Sequence, residues 1–590
     1  MGREDSHYRP EGLDGRQNGR SPSGRVNGRF PVPGAHLPRT PDPAAAASAG
    51  GALTAPGDLP PPPPWRPPTS PAAADLTASS RIPVDVPPPT SAVPQAGPPP
   101  GLPPAPARRR RRLPLAVLAV VLLLALVGAG LAVVRPGPVA GWLGGGGADP
   151  KATADAAEPA PVPVLAAADP AAPAPTPDGV RAALDPLVRA PELGDRVNVS
   201  VADVANGDSL YTRGGDDGTV PASVTKLATA VTVLAARGPS YRIPTRAVAG
   251  AAPGEVVLVG GGDPTLAVDG DGFYPGAARL DDLAEQVKHA LGGAEPTKVT
   301  VDSSLFPGPV YGPGWDSDIP TGGFGAAITA LMTDGARTDP EDARKNFDDS
   351  HGWAERSPQP DLTAGRAFAR LLGLSGDAAE VKRGKAPATN GAPAGAATPG
   401  AELGRVESLP LIRLVDIMIS DSDNVIAEAL ARQVALARNQ PGSFAGGAAA
   451  MDAVIGELGL PADEISLSDA SGLSRNNRIS PSLLTDLIAL AGNGSHPELA
   501  AVFGGLPVAA WSGTLDGRYQ ATETKAGAGV VRAKTGTLTG VHAIAGLVTT
   551  RDGRLLSFAV LTDQAPAGTT DETRQALDRI ASALAGCGCR

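Results

Sequence analysis

The apolar residues of this 590-residue chain follow two different patterns, which meet near Gly179. Downstream, runs that alternate apolar and polar residues flank Asn206-Gly207 and Asp552-Gly553, and each pair of runs predicts a β-hairpin. Between them, the run that follows Pro221 has helical spacing and is closed by Gly238. A further helical run ends the chain. We therefore predict one α/β domain in which N-terminal and C-terminal strands pair in the same sheet.

The middle of this region has elements of its own. A strand with a Gly-rich turn, GEVVLVGGG, is followed by a helical stretch at 279–291 and a strand at Lys298 to Val301. We predict an inserted domain over 247–400, which divides the main domain into two segments, 179–246 and 401–590.

Upstream of Gly179, the only long apolar run covers 113–134, LPLAVLAVVLLLALVGAGLAVV. It has no charge and is long enough to span a bilayer as a helix. Five arginines, Arg108 to Arg112, precede it, so the positive-inside rule leaves 1–107 in the cytoplasm and the larger domain outside the cell membrane. A cleaved signal peptide is the alternative, although such peptides begin near the N-terminus and have shorter apolar cores.

Composition changes the interpretation of the segments around this helix. Residues 1–107 hold 27 of the 64 prolines and little apolar periodicity, so we predict a disordered Pro/Gly-rich tail. Residues 135–178, rich in Ala and Pro, are predicted to form a linker. The net charge of -10 argues against a nucleic-acid partner.

Cysteines and histidines exclude several kinds of site. The two cysteines, Cys587 and Cys589, are too few for a disulfide framework, and at their spacing a bridge is strained, so we expect a frayed terminus. The six histidines have no ligand spacing, and no G-x-S-x-G turn is present. We expect no metal and no cofactor, and neither a Ser-His-Asp hydrolase nor a metalloprotease.

A candidate nucleophile and base lie at the start of the predicted helix after Pro221. Ser223 and Lys226 are three residues apart and would share one face of that helix. Backbone N–H groups at a helix N-terminus favour an oxyanion. A lysine acts as a base where burial or nearby cations lower its pKa.

Two further motifs carry polar residues suited to the same chemistry. Lys534-Thr535-Gly536-Thr537 leads into a predicted strand, and Ser422-Asp423-Asn424 precedes a helical run. A rival S-x-N occurs at Ser474-Arg475-Asn476. We prefer Ser422 because a helix provides a rigid mount.

In this order, S-x-x-K, S-D-N and K-T-G resemble the active-site set of penicillin-binding proteins and serine β-lactamases. Other segments extend the resemblance to the class C low-molecular-mass penicillin-binding proteins, which are D-alanyl-D-alanine carboxypeptidases and endopeptidases. These segments are GGGDPTL (260–266), FGAAITALMTDGAR (324–337), SDASGLSRNNRISP (468–481), LPVAAWSGTLDGR (506–518) and KTGTLTGVHAIAGLV (534–548).

The resemblance, which covers roughly 180–586, implies an α/β transpeptidase fold, a sheet with helices on both sides, carrying an inserted domain. It implies that peptidoglycan stem peptides are substrates and that β-lactams are covalent inhibitors.

The resemblance also implies a role for each motif residue. Ser223 would be the acylated nucleophile, Lys226 its base and Ser422 the donor of a proton to the leaving amine. Asn424 would bond the substrate or Lys226, and Lys534 would supply positive charge. Thr535 and Thr537, on either side of Gly536, would bind the substrate carboxylate, and the N–H groups of Ser223 and Thr537 would form the oxyanion hole.

Two other kinds of protein carry the same three motifs and are alternatives to a carboxypeptidase. A β-lactamase lacks support because no E-x-x-L-N segment is present and the insertion is long. A catalytically silent module that binds cell wall or senses penicillin would keep the fold, but here every motif residue is intact. The motifs leave open whether the enzyme trims terminal D-alanine, cuts cross-links or does both. Because the insertion carries none of the motifs, we expect it to shape access for a polymeric substrate; the alternative is that it only buttresses the sheet.

Overall fold

The computed structural model describes residues 171–350, 352–388 and 398–589. Its helices lie mostly between the first and last strands of the chain. In chain order they are α1 (Pro177–Leu184), α2 (Thr225–Arg237), α3 (Leu280–Leu291), α4 (Pro340–Lys345), α5 (Phe347–Ser350), α6 (Pro360–Leu371), α7 (Leu411–Ser420), α8 (Asn424–Ala437), α9 (Phe444–Glu457), α10 (Pro481–Gly492) and α11 (Thr570–Ala585).

The strands form two five-stranded sheets and one short pair. In chain order they are β1 (Val197–Asp203), β2 (Ser209–Arg213), β3 (Pro244–Ala249), β4 (Glu255–Val259), β5 (Lys298–Asp302), β6 (Lys382–Arg383), β7 (Glu402–Glu407), β8 (Ile465–Ser466), β9 (Arg478–Ile479), β10 (Val531–Leu538), β11 (Val541–Thr549) and β12 (Leu555–Thr562).

The main sheet has the order β10-β11-β12-β1-β2 and is antiparallel throughout. The N-terminal and C-terminal strands of the domain meet in this sheet, where Val197 of β1 pairs with Thr562 of β12. This pairing confirms the prediction that the two ends share a sheet. Strand β10, which carries the K-T-G motif, is an edge strand of this sheet. Its first residues are bonded on the outer side to Pro507 O and Ala509 N.

Helices cover both faces of the main sheet because its strands carry apolar side chains on both sides. One face packs against α1 and α11 through residues such as Ile544 and Phe558. The other face packs against a larger helical layer built around α2, in which every residue from Thr225 to Leu234 is buried. A helix buried on all sides is a fixed mount, so the first turn of α2 is held rigidly.

The second sheet has the order β6-β5-β4-β3-β7 and mixes parallel and antiparallel pairs. Helices α3 and α6 pack on it around Leu283, Val287 and Phe368. The first and last strands of this sheet along the chain, β3 and β7, pair with each other, beginning with Pro244 opposite Glu407. The chain therefore enters and leaves the inserted sheet at neighbouring positions. The predicted insertion, 247–400, therefore begins within β3 and ends just before β7.

Local predictions match the described elements closely. The hairpins around Asn206-Gly207 and Asp552-Gly553, the helix closed by Gly238, and the terminal helix all form. Helix α1 begins earlier than the predicted domain start, because Thr176 caps it by accepting a hydrogen bond from Gly179 N.

The two ends of the described part meet. The predicted frayed C-terminus is wrong: Cys587 and Cys589 are joined as a disulfide, and Cys589 O accepts a hydrogen bond from Thr176 N. The predicted tail at 1–107, the predicted membrane helix at 113–134 and most of the predicted linker at 135–178 lie outside the described residues. Within the described ranges, no helix combines the length and apolar character needed to cross a membrane.

Candidate active site

Ser223 lies at the entrance to α2. The short 3-10 helix Ala222–Val224 leads directly into that helix, so the backbone N–H of Ser223 is at its positive end. Ala222 has a φ of 46°, a left-handed value that turns the chain sharply just before the serine. Ser223 itself is half-buried, which leaves its hydroxyl accessible.

Lys226 lies one turn further on and is completely buried. Its Nζ is 3.0 Å from Ser223 Oγ, 2.5 Å from Asn424 Oδ1 and 2.7 Å from Ser471 O. Burial lowers the pKa of Lys226 to about 8, against the opposing effect of the carboxylates of Asp469, Asp423 and Glu428. A neutral Nζ has two N–H groups and one lone pair. If Asn424 and Ser471 hold the N–H groups, the lone pair faces the Ser223 hydroxyl.

The S-D-N turn sits at the start of α8. Asp423 caps this helix by accepting hydrogen bonds from Val425 N and Ile426 N. Ser422, with a φ of 58°, takes the left-handed conformation just before the cap. Asn424 accepts a hydrogen bond from Lys226 Nζ with Oδ1 and donates one from Nδ2 to Phe324 O at 2.8 Å. Both the oxygen and the nitrogen of its side-chain amide are therefore hydrogen-bonded.

The K-T-G residues lie on β10, opposite the S-D-N turn. Lys534 is completely buried, and its Nζ donates to Ser422 Oγ at 2.8 Å and to Thr535 O at 2.7 Å. Burial and the charge of Lys226 hold the pKa of Lys534 well below its usual range. The two lysines are therefore close enough to repel each other when both are charged.

Gly536 brings β10 against the serine. A Cβ added there would lie 2.8 Å from Ser223 N and 2.9 Å from Pro221 O, so a larger residue would push the strand away. On either side of it, Thr535 Oγ1 donates to Thr514 Oγ1 at 2.9 Å and Thr537 is exposed. All eight predicted site residues are thus gathered where α2, α8 and β10 meet.

The rival motif lies elsewhere. Ser474 is buried and its Oγ donates to Pro313 O at 2.6 Å, while Asn476 is exposed. Neither residue is bonded to Lys226 or to Lys534 in the described part of the chain. The preference for Ser422 agrees with this geometry.

The family follows from comparison with known proteins. The sequence model of the D-Ala-D-Ala carboxypeptidase 3 (S13) family matches residues 180–365 and 348–584, which together make up most of the chain. The chain belongs to this family. It is an S13 D-Ala-D-Ala carboxypeptidase, as the class C penicillin-binding resemblance implied.

Individual relatives agree with this assignment. The S13 carboxypeptidase is 37% identical to carboxypeptidase DacB of Mycolicibacterium smegmatis over 448 residues, which cover 75% of this chain and 90% of that protein. It is 39% identical to a carboxypeptidase of Mycobacterium tuberculosis over 419 residues, 70% of this chain and 84% of that one. The fold matches the crystal structure of penicillin-binding protein 4 from Haemophilus influenzae with a TM-score of 0.54, at 20% identity, over 69% of this chain and 98% of that chain.

Sequence analysis missed the loop that holds Ser471 in the S13 carboxypeptidase. The two backbone N–H groups of Ala470 and Ser471 donate to Glu428 Oε1, at 3.0 and 2.8 Å. Asp469 accepts from Gly472 N at 3.0 Å and Ser474 N at 2.7 Å. These bonds fix the loop so that Ser471 O faces Lys226. The segment 468–481 was one of those that carried the family resemblance, but only the fold shows that the Ser471 carbonyl contacts Lys226.

The inserted region also supports the motifs, which sequence analysis did not foresee. Tyr274 donates to Asp423 Oδ2 at 2.6 Å, and the buried Arg337 lies 3.7 Å from the same oxygen. Burial alone would raise the pKa of Asp423, but Arg337, Arg356 and the tyrosine hold it below its usual range. Phe324, also in the insertion, accepts a hydrogen bond from Asn424 with its carbonyl oxygen, so these contacts tie the insertion to the S-D-N turn.

Proposed function

We propose that Ser223 is the acylated nucleophile of this carboxypeptidase and that Lys226 is its general base. The proposal rests on the position of Lys226 Nζ, which lies 3.0 Å from Ser223 Oγ. The same nitrogen also donates hydrogen bonds to Asn424 Oδ1 and Ser471 O. A neutral amine in that setting accepts the hydroxyl proton as Oγ attacks the carbonyl carbon of the penultimate D-alanine.

The developing oxyanion needs donors on the opposite side of the carbonyl. The backbone N–H of Ser223, at the start of α2, and that of Thr537, on the exposed part of β10, are the two candidates. The close approach of Gly536 to Ser223 N supports this pairing, because it brings the strand beside the serine backbone.

Departure of the terminal D-alanine breaks the C–N bond, and its nitrogen must gain a proton. Ser422 is suited to deliver it. Because Lys534 donates to Ser422 Oγ, the hydroxyl hydrogen of Ser422 is left to point at the leaving amine. The proton that Lys226 accepted from Ser223 balances this transfer. Water then hydrolyses the serine ester and restores the free enzyme.

The substrate carboxylate would lie against Lys534, Thr535 and Thr537. The lowered pKa of Lys534 favours its neutral form in the empty site. A bound carboxylate favours the charged form, so binding an anion and protonating Lys534 support each other. The same groups suit the carboxylate of a penicillin, whose strained amide would acylate Ser223 in the same way.

The direct test is mass spectrometry of the full chain after incubation with a labelled penicillin. We expect one adduct, on a peptide that contains Ser223, and none in Ser223→Ala. A label on another serine would overturn the assignment. Rapid loss of the label with release of hydrolysed penicillin would favour the β-lactamase alternative. Incubation with a purified muropeptide then identifies the bond that is cut.

We also propose that the protein is held in the cell membrane by the helix predicted at 113–134, with its catalytic part outside. The support is the sequence pattern alone: an uncharged 22-residue run preceded by five arginines. This arrangement would leave 1–107 in the cytoplasm and put the active site on the side where peptidoglycan is found.

A further inference from the structure

Trp511 is the most exposed large apolar side chain in the described ranges, at 78%. It is nevertheless held in a closed loop, 508–515. Trp511 N donates to Val508 O at 3.0 Å, Val508 N donates to Ser512 Oγ at 3.1 Å, and Ala510 N donates to Leu515 O at 3.1 Å. The indole is therefore presented to solvent from a defined position rather than from a loose segment.

The loop lies between the two halves of the active site. On one side Thr514 Oγ1 accepts the hydrogen bond of Thr535, the second residue of K-T-G. On the other side Gly513, with a φ of 55°, passes so close to α7 that an added Cβ would lie 2.8 Å from Ser420 O, two residues before Ser422. The loop that carries Trp511 therefore forms part of the rim next to Thr535 and the S-D-N turn.

The loop 508–515 lies on the side of the active site that the leaving group occupies; this inference rests on the proposed function. In that mechanism Ser223 faces Gly536, and Ser422 protonates the departing nitrogen. Starting from the carbonyl at Ser223, the leaving group must extend toward Ser422 and Thr535, and so toward the loop 508–515. The acyl half of the substrate extends in the opposite direction.

We propose that Trp511 binds the leaving half of a cross-linked peptide and so determines how well the enzyme cuts cross-links. A terminal D-alanine is small, and its carboxylate is already met by Lys534 and Thr535. In a cross-link the departing nitrogen belongs to the diamino-acid side chain of a second stem peptide. That group continues beyond Thr535, and its methylene chain can pack on the indole face.

The test compares two substrates with the full chain: a stem peptide ending in D-Ala-D-Ala, and a purified dimer joined through D-alanine to a diamino acid. In Trp511→Ala, we expect the ratio of dimer cleavage to D-alanine release to fall about three- to tenfold, through a higher KM for the dimer. Trp511→Phe, which keeps an aromatic face, should restore most of the ratio. Val530→Ala, which truncates another exposed apolar residue, is the matched control and should leave the ratio unchanged.

Two results would overturn the proposal: an unchanged ratio in Trp511→Ala, or an equal loss on both substrates. A wild-type enzyme that releases D-alanine but never cuts the dimer would also overturn it, while leaving the proposed function intact. Failure of the proposed function is a separate outcome, recognised by the absence of a penicillin adduct on Ser223.

Discussion

Lys226 Nζ donates a 2.5 Å hydrogen bond to Oδ1 of Asn424, a residue 198 positions further along the chain. The bond joins the first turn of α2 to the first turn of α8, and the other end of the Asn424 amide is held by Phe324 O. Asn424 therefore positions Lys226, the proposed base, and is also a candidate contact for the substrate.

Replacing this amide tests its part in catalysis. Asn424→Ala removes one of the two acceptors that orient the neutral amine, so we expect acylation by penicillin to slow by about 10²-fold, within the range of general-base effects. The matched control is Asn476→Ala, in the rival S-x-N motif, where the side chain is exposed. Stopped-flow acylation rates distinguish the two variants. Equal rates would contradict the assignment of Ser422-Asp423-Asn424.

The pKa of Lys226 predicts how acylation depends on pH. The lysine acts as a base only when neutral, so the rate should rise with pH and level off above its pKa of about 8. Burial raises the pKa of Glu428, and the carboxylate form of Glu428 raises the pKa of Lys226. Glu428→Gln should therefore move the inflection to lower pH. Glu457→Gln, at an exposed ion pair, should not move it.

The charge on Lys534 should matter most for substrates that carry a carboxylate. With Lys534→Ala, we expect kcat/KM on a D-Ala-D-Ala peptide to fall about 10²-fold, because the anion loses its partner in a buried site. An amide-capped analogue should lose much less. The exposed Lys525→Ala serves as the control. Equal losses on the capped and uncapped peptides would argue against carboxylate binding at this lysine.

The contact between the insertion and the S-D-N turn should contribute to stability. Tyr274→Phe leaves a buried oxygen of Asp423 without its hydroxyl donor. We expect the free energy of unfolding to fall by about 1–3 kcal/mol, measured by urea denaturation, together with slower acylation. Tyr311→Phe, at a more exposed tyrosine, should change neither quantity. An unaltered Tyr274→Phe would mean that the insertion does not support the turn.

The predicted membrane orientation is open to a reporter assay. A phosphatase that is active only outside the cytoplasm should be active when fused after residue 150 and inactive when fused after residue 107. Inactivity of both fusions would overturn the proposed orientation. Activity of both would show that the tail is not cytoplasmic.

Much of the site could be predicted from sequence because its parts are local. The turn before α2, the cap before α8 and the glycine in β10 each depend on a few adjacent residues. Helix spacing alone puts Lys226 on the same face as Ser223. The hairpins and the pairing of the two chain ends likewise follow from alternating patterns and turn residues.

The rest required the tertiary structure, because packing rather than local propensity brings distant polar atoms together. Packing joins Lys534 to Ser422 across 112 positions and Tyr274 to Asp423 across 149. Backbone carbonyls such as Ser471 O leave no trace in residue type, since every residue has one. Sequence thus determined the candidate motif residues, whereas the fold decided that Asn424 rather than Asn476 contacts Lys226 and that Ser422 contacts Lys534.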